Sequence, residues 1–77
     1  MTLQELKPGE QAHVTGYAGD DPAYRHKLLR MGLTKGTVFT LVRKAPMGDP
    51  IEIALRGFNL TLRRQEACAL IVEREHA

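Results

Sequence analysis

Side chains able to share a metal, a proton or a nucleophile are scattered in this chain. The three histidines, His13, His26 and His76, form no His-x-x-x-His pair, and no Cys-x-x-Cys is present. His26 falls on the polar face of an expected helix, His13 on an expected strand and His76 in the tail, so all three read as solvated surface groups. Asp20, Asp21 and Glu10 would hold a divalent cation only weakly as a set of hard carboxylates, and Asp21 already serves as a helix cap. No metal site and no cofactor is expected. The single cysteine, Cys68, would have its pKa lowered by Arg64, four residues earlier, only if that segment is helical. A semi-buried structural thiol is the expectation. The threonines fall in capping, turn or strand positions, and no nucleophile, base and orienting group can be assembled. Gly16-Tyr17-Ala18-Gly19 lacks the Gly-Lys-Ser/Thr ending of a phosphate loop. The chain does not read as an enzyme.

The remaining candidates bind rather than react. Arg43-Lys44, Arg56 and Arg63-Arg64 would form a basic stripe able to touch phosphates. Glu52 and Glu66 are placed to neutralise part of it, and the aromatic platform that single strands stack on is missing. A net charge of +2, from 11 basic against 9 acidic residues, is too balanced for a dedicated nucleic-acid binder. Nucleic acid is therefore not an expected partner. The unpaired thiol fits a reducing compartment. No N-terminal apolar h-region and no run of about 20 apolar residues is present, so a cytoplasmic protein is expected, touching a membrane only through a partner.

The 77 residues are read as one domain, 1–77, with a thin core, since a chain this short buries only roughly 60% of its unfolded surface. Thr2-Leu3-Gln4-Glu5 has capping-box spacing for a single helical turn. Gln11 to Tyr17 reads as a first strand with Ala12 and Val14 on different faces, and Gly16 marks a bulge. Asp21 as N-cap and Pro22 at the first position start a helix. Its apolar face is Tyr24, Leu28 and Met31, with Leu29 alongside. Gly32 stops it in the left-handed conformation and Leu33 folds back. Strands follow at 37–44, with Phe39 and Leu41 on one face, and at 51–55, where Ile51, Ile53 and Leu55 alternate with polar positions. Gly57-Phe58-Asn59 turns into a strand carrying Leu60 and Leu62. A helical turn at 64–67 and a short strand at 70–73 complete the chain. Five short strands with one helix inserted after the first give a mainly β fold, a small five-stranded SH3-like barrel whose closure hides its edges.

Two features exceed what such a scaffold needs. Ala45-Pro46-Met47-Gly48-Asp49-Pro50-Ile51 is a stiff connection: each proline fixes its own φ and drives the preceding residue extended, and Gly48-Asp49 supplies the turn. On the helix, Leu29 and Leu33 cannot both face the barrel with Leu28 and Met31. Exposed Met and Leu make an adaptable apolar docking surface. The candidate patch is Leu29, Met31 and Leu33 with Pro46, Met47 and Asp49, and whether Met47 points inward or toward a partner is open.

The segments Ala23-Tyr24-Arg25, Lys27-Leu28-Leu29-Arg30-Met31-Gly32-Leu33, Gly36-Thr37, the proline-flanked loop and Leu60-Thr61-Leu62-Arg63-Arg64 together resemble the FeoA family, ferrous iron transport protein A. The resemblance runs from about Leu3 to Glu73. Met47 stands where the family commonly has leucine. It implies an SH3-like barrel and an accessory or regulatory role in bacterial ferrous iron uptake, through the cytosolic side of the FeoB membrane transporter and other small accessory proteins of that system. The alternative is a metal-responsive regulatory module binding a divalent transition metal, because the same fold forms the C-terminal domain of iron-dependent repressors. A polyproline-binding SH3 role needs an aromatic-lined groove, which four scattered aromatics without Trp do not supply.

Overall fold

In the computed structural model, which describes residues 1–75, five antiparallel strands form one sheet in the order β4-β3-β2-β1-β5. The strands are β1 (Gln11–Tyr17), β2 (Val38–Lys44), β3 (Ile51–Leu55), β4 (Phe58–Leu62) and β5 (Leu70–Arg74). Helix α1 (Pro22–Arg30) joins β1 to β2, and α2 (Arg64–Cys68) joins β4 to β5. His76, expected as a tail residue, lies outside the described residues.

Period-2 patterning builds the sheet. Ala12, Val14, Phe39, Leu41, Ile51, Ile53, Leu62, Leu70 and Val72 are all buried, together with Leu28 from α1 and Leu3 and Leu6 from the N-terminal turn. Ala12 and Val14 therefore share one face, contrary to the expectation that they split, because residues two apart in a strand point the same way. The register of β1 against β5 shifts between Val14 and Gly16, the bulge expected at the glycine. Gly57 at φ +81 closes the β3–β4 hairpin, and Leu55 pairs directly with Phe58. The turn is thus Arg56-Gly57, one residue earlier than expected, and Phe58 belongs to the strand. The outer edge of β5 is covered by Met1, whose carbonyl accepts from the Val72 N–H at 2.9 Å.

The N-terminal 3-10 turn, Leu3–Glu5, forms where expected, but Thr2 makes no side-chain cap. Burial of Leu3 and Leu6 holds the turn instead. Helix α1 starts as its sequence dictates: Asp21 Oδ1 accepts from the Ala23 N–H at 2.9 Å and Pro22 sits in the first turn. It ends in a Schellman motif. Gly32, at φ +92, donates to the Leu29 carbonyl at 3.1 Å, and Leu33 donates to the Leu28 carbonyl at 3.0 Å. This 6→1 bond turns Leu33 back beneath the helix. Tyr17 fixes the same corner, its hydroxyl donating to the Leu33 carbonyl at 2.6 Å. Cys68, expected semi-buried, is exposed. In a helix this short Glu66 and Ala67 take the inward positions, leaving the thiol outside.

Candidate docking site

The β2–β3 connection is braced on both flanks. Ala45 (φ −66, ψ 160) and Asp49 (φ −149, ψ 116) are extended, as residues before proline must be. Inside the loop the Gly48 N–H donates to the Ala45 carbonyl at 2.8 Å, and the Ala45 N–H donates to the Pro50 carbonyl at 3.0 Å. On one flank Gln4 Nε2 donates to the Gly48 carbonyl at 3.2 Å, and Lys44 Nζ donates to the Gln4 carbonyl at 3.0 Å. On the other, the Arg64 N–H donates to Asp49 Oδ1 at 3.2 Å and its guanidinium donates to the Met47 carbonyl.

The turn residues are Met47 at φ +70 and Gly48 at φ +72, rather than Gly48 and Asp49 as expected. Asp49 stays extended and is used as an acceptor for the start of α2. Two features favour glycine at position 48. Its φ disfavours a side chain, and a Cβ there would meet Gln4 Oε1 at 2.5 Å. Met47 is the one non-glycine residue at positive φ among the described residues, and its side chain is 87% exposed. It points outward.

Beside this loop runs a groove of about 510 Å³. Lys27 of α1 and Met31, its C-cap, form one wall, Asp49 and Pro50 of the loop another, with Thr61, Arg63 and Glu66 completing it. A second, smaller depression of about 410 Å³ beside the loop is lined by Pro46, Pro50 and Arg43 among others. Glu66, 4% exposed, anchors the groove. Its carboxylate pairs with Lys27 and accepts from the Arg63 N–H at 2.9 Å. Burial alone would push the Glu66 carboxyl up. The Lys27 ammonium and the Arg63 N–H overcome this and hold it below the ordinary glutamate range. The ion pair ties α1 to α2 and so fixes the width of the groove.

The six residues of the expected patch divide. Met31 and Asp49 line the groove together. Met47 stands at the loop tip, Pro46 is exposed beside it, and Leu29 is 39% exposed on α1. Leu33 is fully buried and leaves the patch, because the Schellman turn directs it into the core. Sequence reading missed Lys27, Glu66, Gln4 and Arg64 as the residues that brace the site. Nothing in the spacing of Gln4 marks it as a loop anchor. Glu66 was expected to offset the arginines but is taken by Lys27. Glu52 does pair with an arginine, Arg43, at 3.0 Å. Glu10, considered with Asp20 and Asp21 as a carboxylate set, is bound to Arg74 at 2.8 Å instead. Among the described residues no group of three or more His, Cys, Asp or Glu side chains is placed to share a metal ion, and no helix is long and apolar enough to cross a membrane.

The chain is similar to known proteins over nearly its whole length. The FeoA domain model matches residues 1–74. A curated relative from Porphyromonas gingivalis, an Fe(2+) transport protein A/Fe(2+) transporter FeoB fusion protein, is 36% identical over 73 residues, 95% of this chain. The chain spans only 8% of that fusion protein's length. The solution structure of FeoA from Chlorobium tepidum superposes with a TM-score of 0.82 at 44% identity, covering 96% of this chain and 70% of that one. The FeoA of Stenotrophomonas maltophilia, described as a prokaryotic SH3 domain protein and crystallised with zinc, gives 0.79 at 29% identity over 95% of this chain and 89% of that one. A manganese-dependent transcriptional repressor shares the fold, with a TM-score of 0.88 at 16% identity, across 97% of this chain and 36% of its own. The SH3-like fold expected from strand order is thus the observed one, and the chain belongs to the FeoA family, which is linked to ferrous iron transport.

Proposed function

We propose that this chain is a cytoplasmic, non-enzymatic accessory protein of ferrous iron uptake that docks on the cytosolic side of a FeoB-type transporter. One observation carries the choice of surface: Met47 is held 87% exposed at positive φ on a loop braced from both sides. A flexible apolar side chain on a rigid mount presents buried area to a partner with little ordering cost in the backbone. Met31 and Asp49 line the adjacent groove, and Pro46 and Leu29, both exposed, are the remaining members of the proposed patch. The fusion of the two proteins in the P. gingivalis relative supports the choice of partner, because a fused pair works at high effective concentration.

The test is binding of Met47→Asp and Leu29→Asp to the transporter's cytosolic portion, with and without guanine nucleotide. Wild-type affinity in both folded variants would exclude the patch. A metal-responsive reading draws on the zinc bound by the S. maltophilia relative. Calorimetric titration with ferrous or manganous ion under reducing conditions distinguishes it, since stoichiometric heat would favour metal sensing over docking.

A further inference from the structure

The end of the barrel away from the Met47 loop has a different chemistry. There the α1–β2 connection and the β3–β4 hairpin meet around a depression of about 210 Å³ lined by Gly32, Thr34, Thr37, Leu55, Arg56 and Phe58. Phe58 is 49% exposed and Val38, at the start of β2, 45%. Arg30, the last residue of α1, Lys35 in the α1–β2 connection and Arg56 in the β3–β4 turn are exposed and make no ion pair or side-chain hydrogen bond among the described residues. The charge distribution is lopsided at the level of the fold. Segments 22–48 and 53–65 contain no Asp or Glu, yet they hold nine of the eleven lysines and arginines. They make up α1, β2, β4 and most of β3. Of the nine carboxylates, Glu10, Glu73 and Glu75 lie on the β1–β5 side, and Asp49, Glu52 and Glu66 lie toward the Met47 loop or on α2.

We propose that this tip, with Arg30, Lys35 and Arg56 around the exposed Phe58, contacts the anionic headgroups of a lipid bilayer directly. Unpaired cations beside an exposed aromatic ring, without local carboxylates, match a surface that is negatively charged and apolar just below. The aromatic ring seats at the headgroup level and the cations lie over the phosphates. An RNA partner is a poorer match, because one exposed ring offers no run of stacking positions. This adds a lipid contact to the partner-mediated membrane association expected from sequence. The contact is weak by itself and acts together with the transporter-docking patch.

Each cation near an anionic leaflet contributes about fivefold in partitioning, so three give a preference on the order of 100-fold for anionic over neutral vesicles. The experiment is co-sedimentation of the full chain with phosphatidylglycerol/phosphatidylcholine vesicles and with pure phosphatidylcholine vesicles. Arg56→Glu replaces one attractive charge with a repulsive one and is expected to cut binding by roughly 30-fold. Phe58→Ser, at a half-exposed position, is expected to weaken it while leaving salt dependence intact. Circular dichroism melts confirm that both variants are folded. Equal partitioning of the wild type onto neutral and anionic vesicles overturns the proposal. So does unchanged binding of folded Arg56→Glu, or binding to single-stranded RNA without binding to vesicles. The vesicles contain no transporter, so this result stands or falls separately from the docking reading.

Discussion

Met47 occupies a left-handed backbone that costs an L-residue about 1–2 kcal/mol. Its side chain, 87% exposed, offsets almost none of that through packing. Met47→Gly removes the Cβ conflict but frees the unfolded chain by about 0.4–1 kcal/mol. The net expectation is a change between roughly zero and 1.5 kcal/mol of stabilisation. Met47→Ala keeps the conformation and loses only solvated surface, so its stability should stay within about 0.5 kcal/mol of the wild type. Binding should respond in the opposite sense. Burying a methionine side chain contributes about 1.5–3 kcal/mol, so either substitution should raise the Kd for the transporter's cytosolic portion by roughly 10- to 100-fold. Urea denaturation measures the first quantity and titration the second. A stability loss above about 1 kcal/mol in Met47→Ala would mean that the side chain packs on the barrel. Unchanged affinity in both variants would take Met47 out of the interface.

Two further outcomes follow from the braces around the loop. Gly48→Ala should cost about 2–3 kcal/mol, from the left-handed backbone and the displaced Gln4 hydrogen bond. Gly57→Ala, with nothing within 4 Å of the added Cβ, should cost only the backbone part; equal losses in paired urea melts would show that the Gln4 contact carries no energy. The lowered pKa of Glu66 makes the unfolded chain bind more protons on the acid side, so its contribution is present above the unfolded glutamate value of about 4.3 and is lost as pH falls through the lower folded value. Lys27→Met leaves burial dominant and should move acid unfolding to higher pH. A midpoint unmoved in a fluorescence or circular dichroism titration would refute the pairing.

Local chemistry explains most of what could be read in advance. Asp21, Pro22 and Gly32 act within a few residues of themselves, so the start and stop of α1 are written in sequence. Alternation at Ile51, Ile53 and Leu55 and at Phe39 and Leu41 set the core faces. Ala12 and Val14 share the buried face because residues two apart in a strand point the same way. The Thr2 capping box failed: the 3-10 turn is held by Leu3 and Leu6 against the core, and propensity was not needed.

Fold class, the limits of α1 and the presence of a stiff loop are legible in the chain alone, because capping, proline geometry and period-2 burial are properties of neighbouring residues. The chain also carried the family resemblance, through the spacing of the same prolines and glycines. Which side chains meet depends on the folded arrangement of distant segments. Met47 faces outward because Gln4 and Arg64, 43 and 17 positions away along the chain, grip the loop backbone on either side. Leu33 leaves the surface because the Schellman bond and Tyr17 draw it under α1. Lys27 reaches Glu66 across the fold, and both line the groove. These contacts depend on where the barrel brings distant segments, and no spacing rule encodes that.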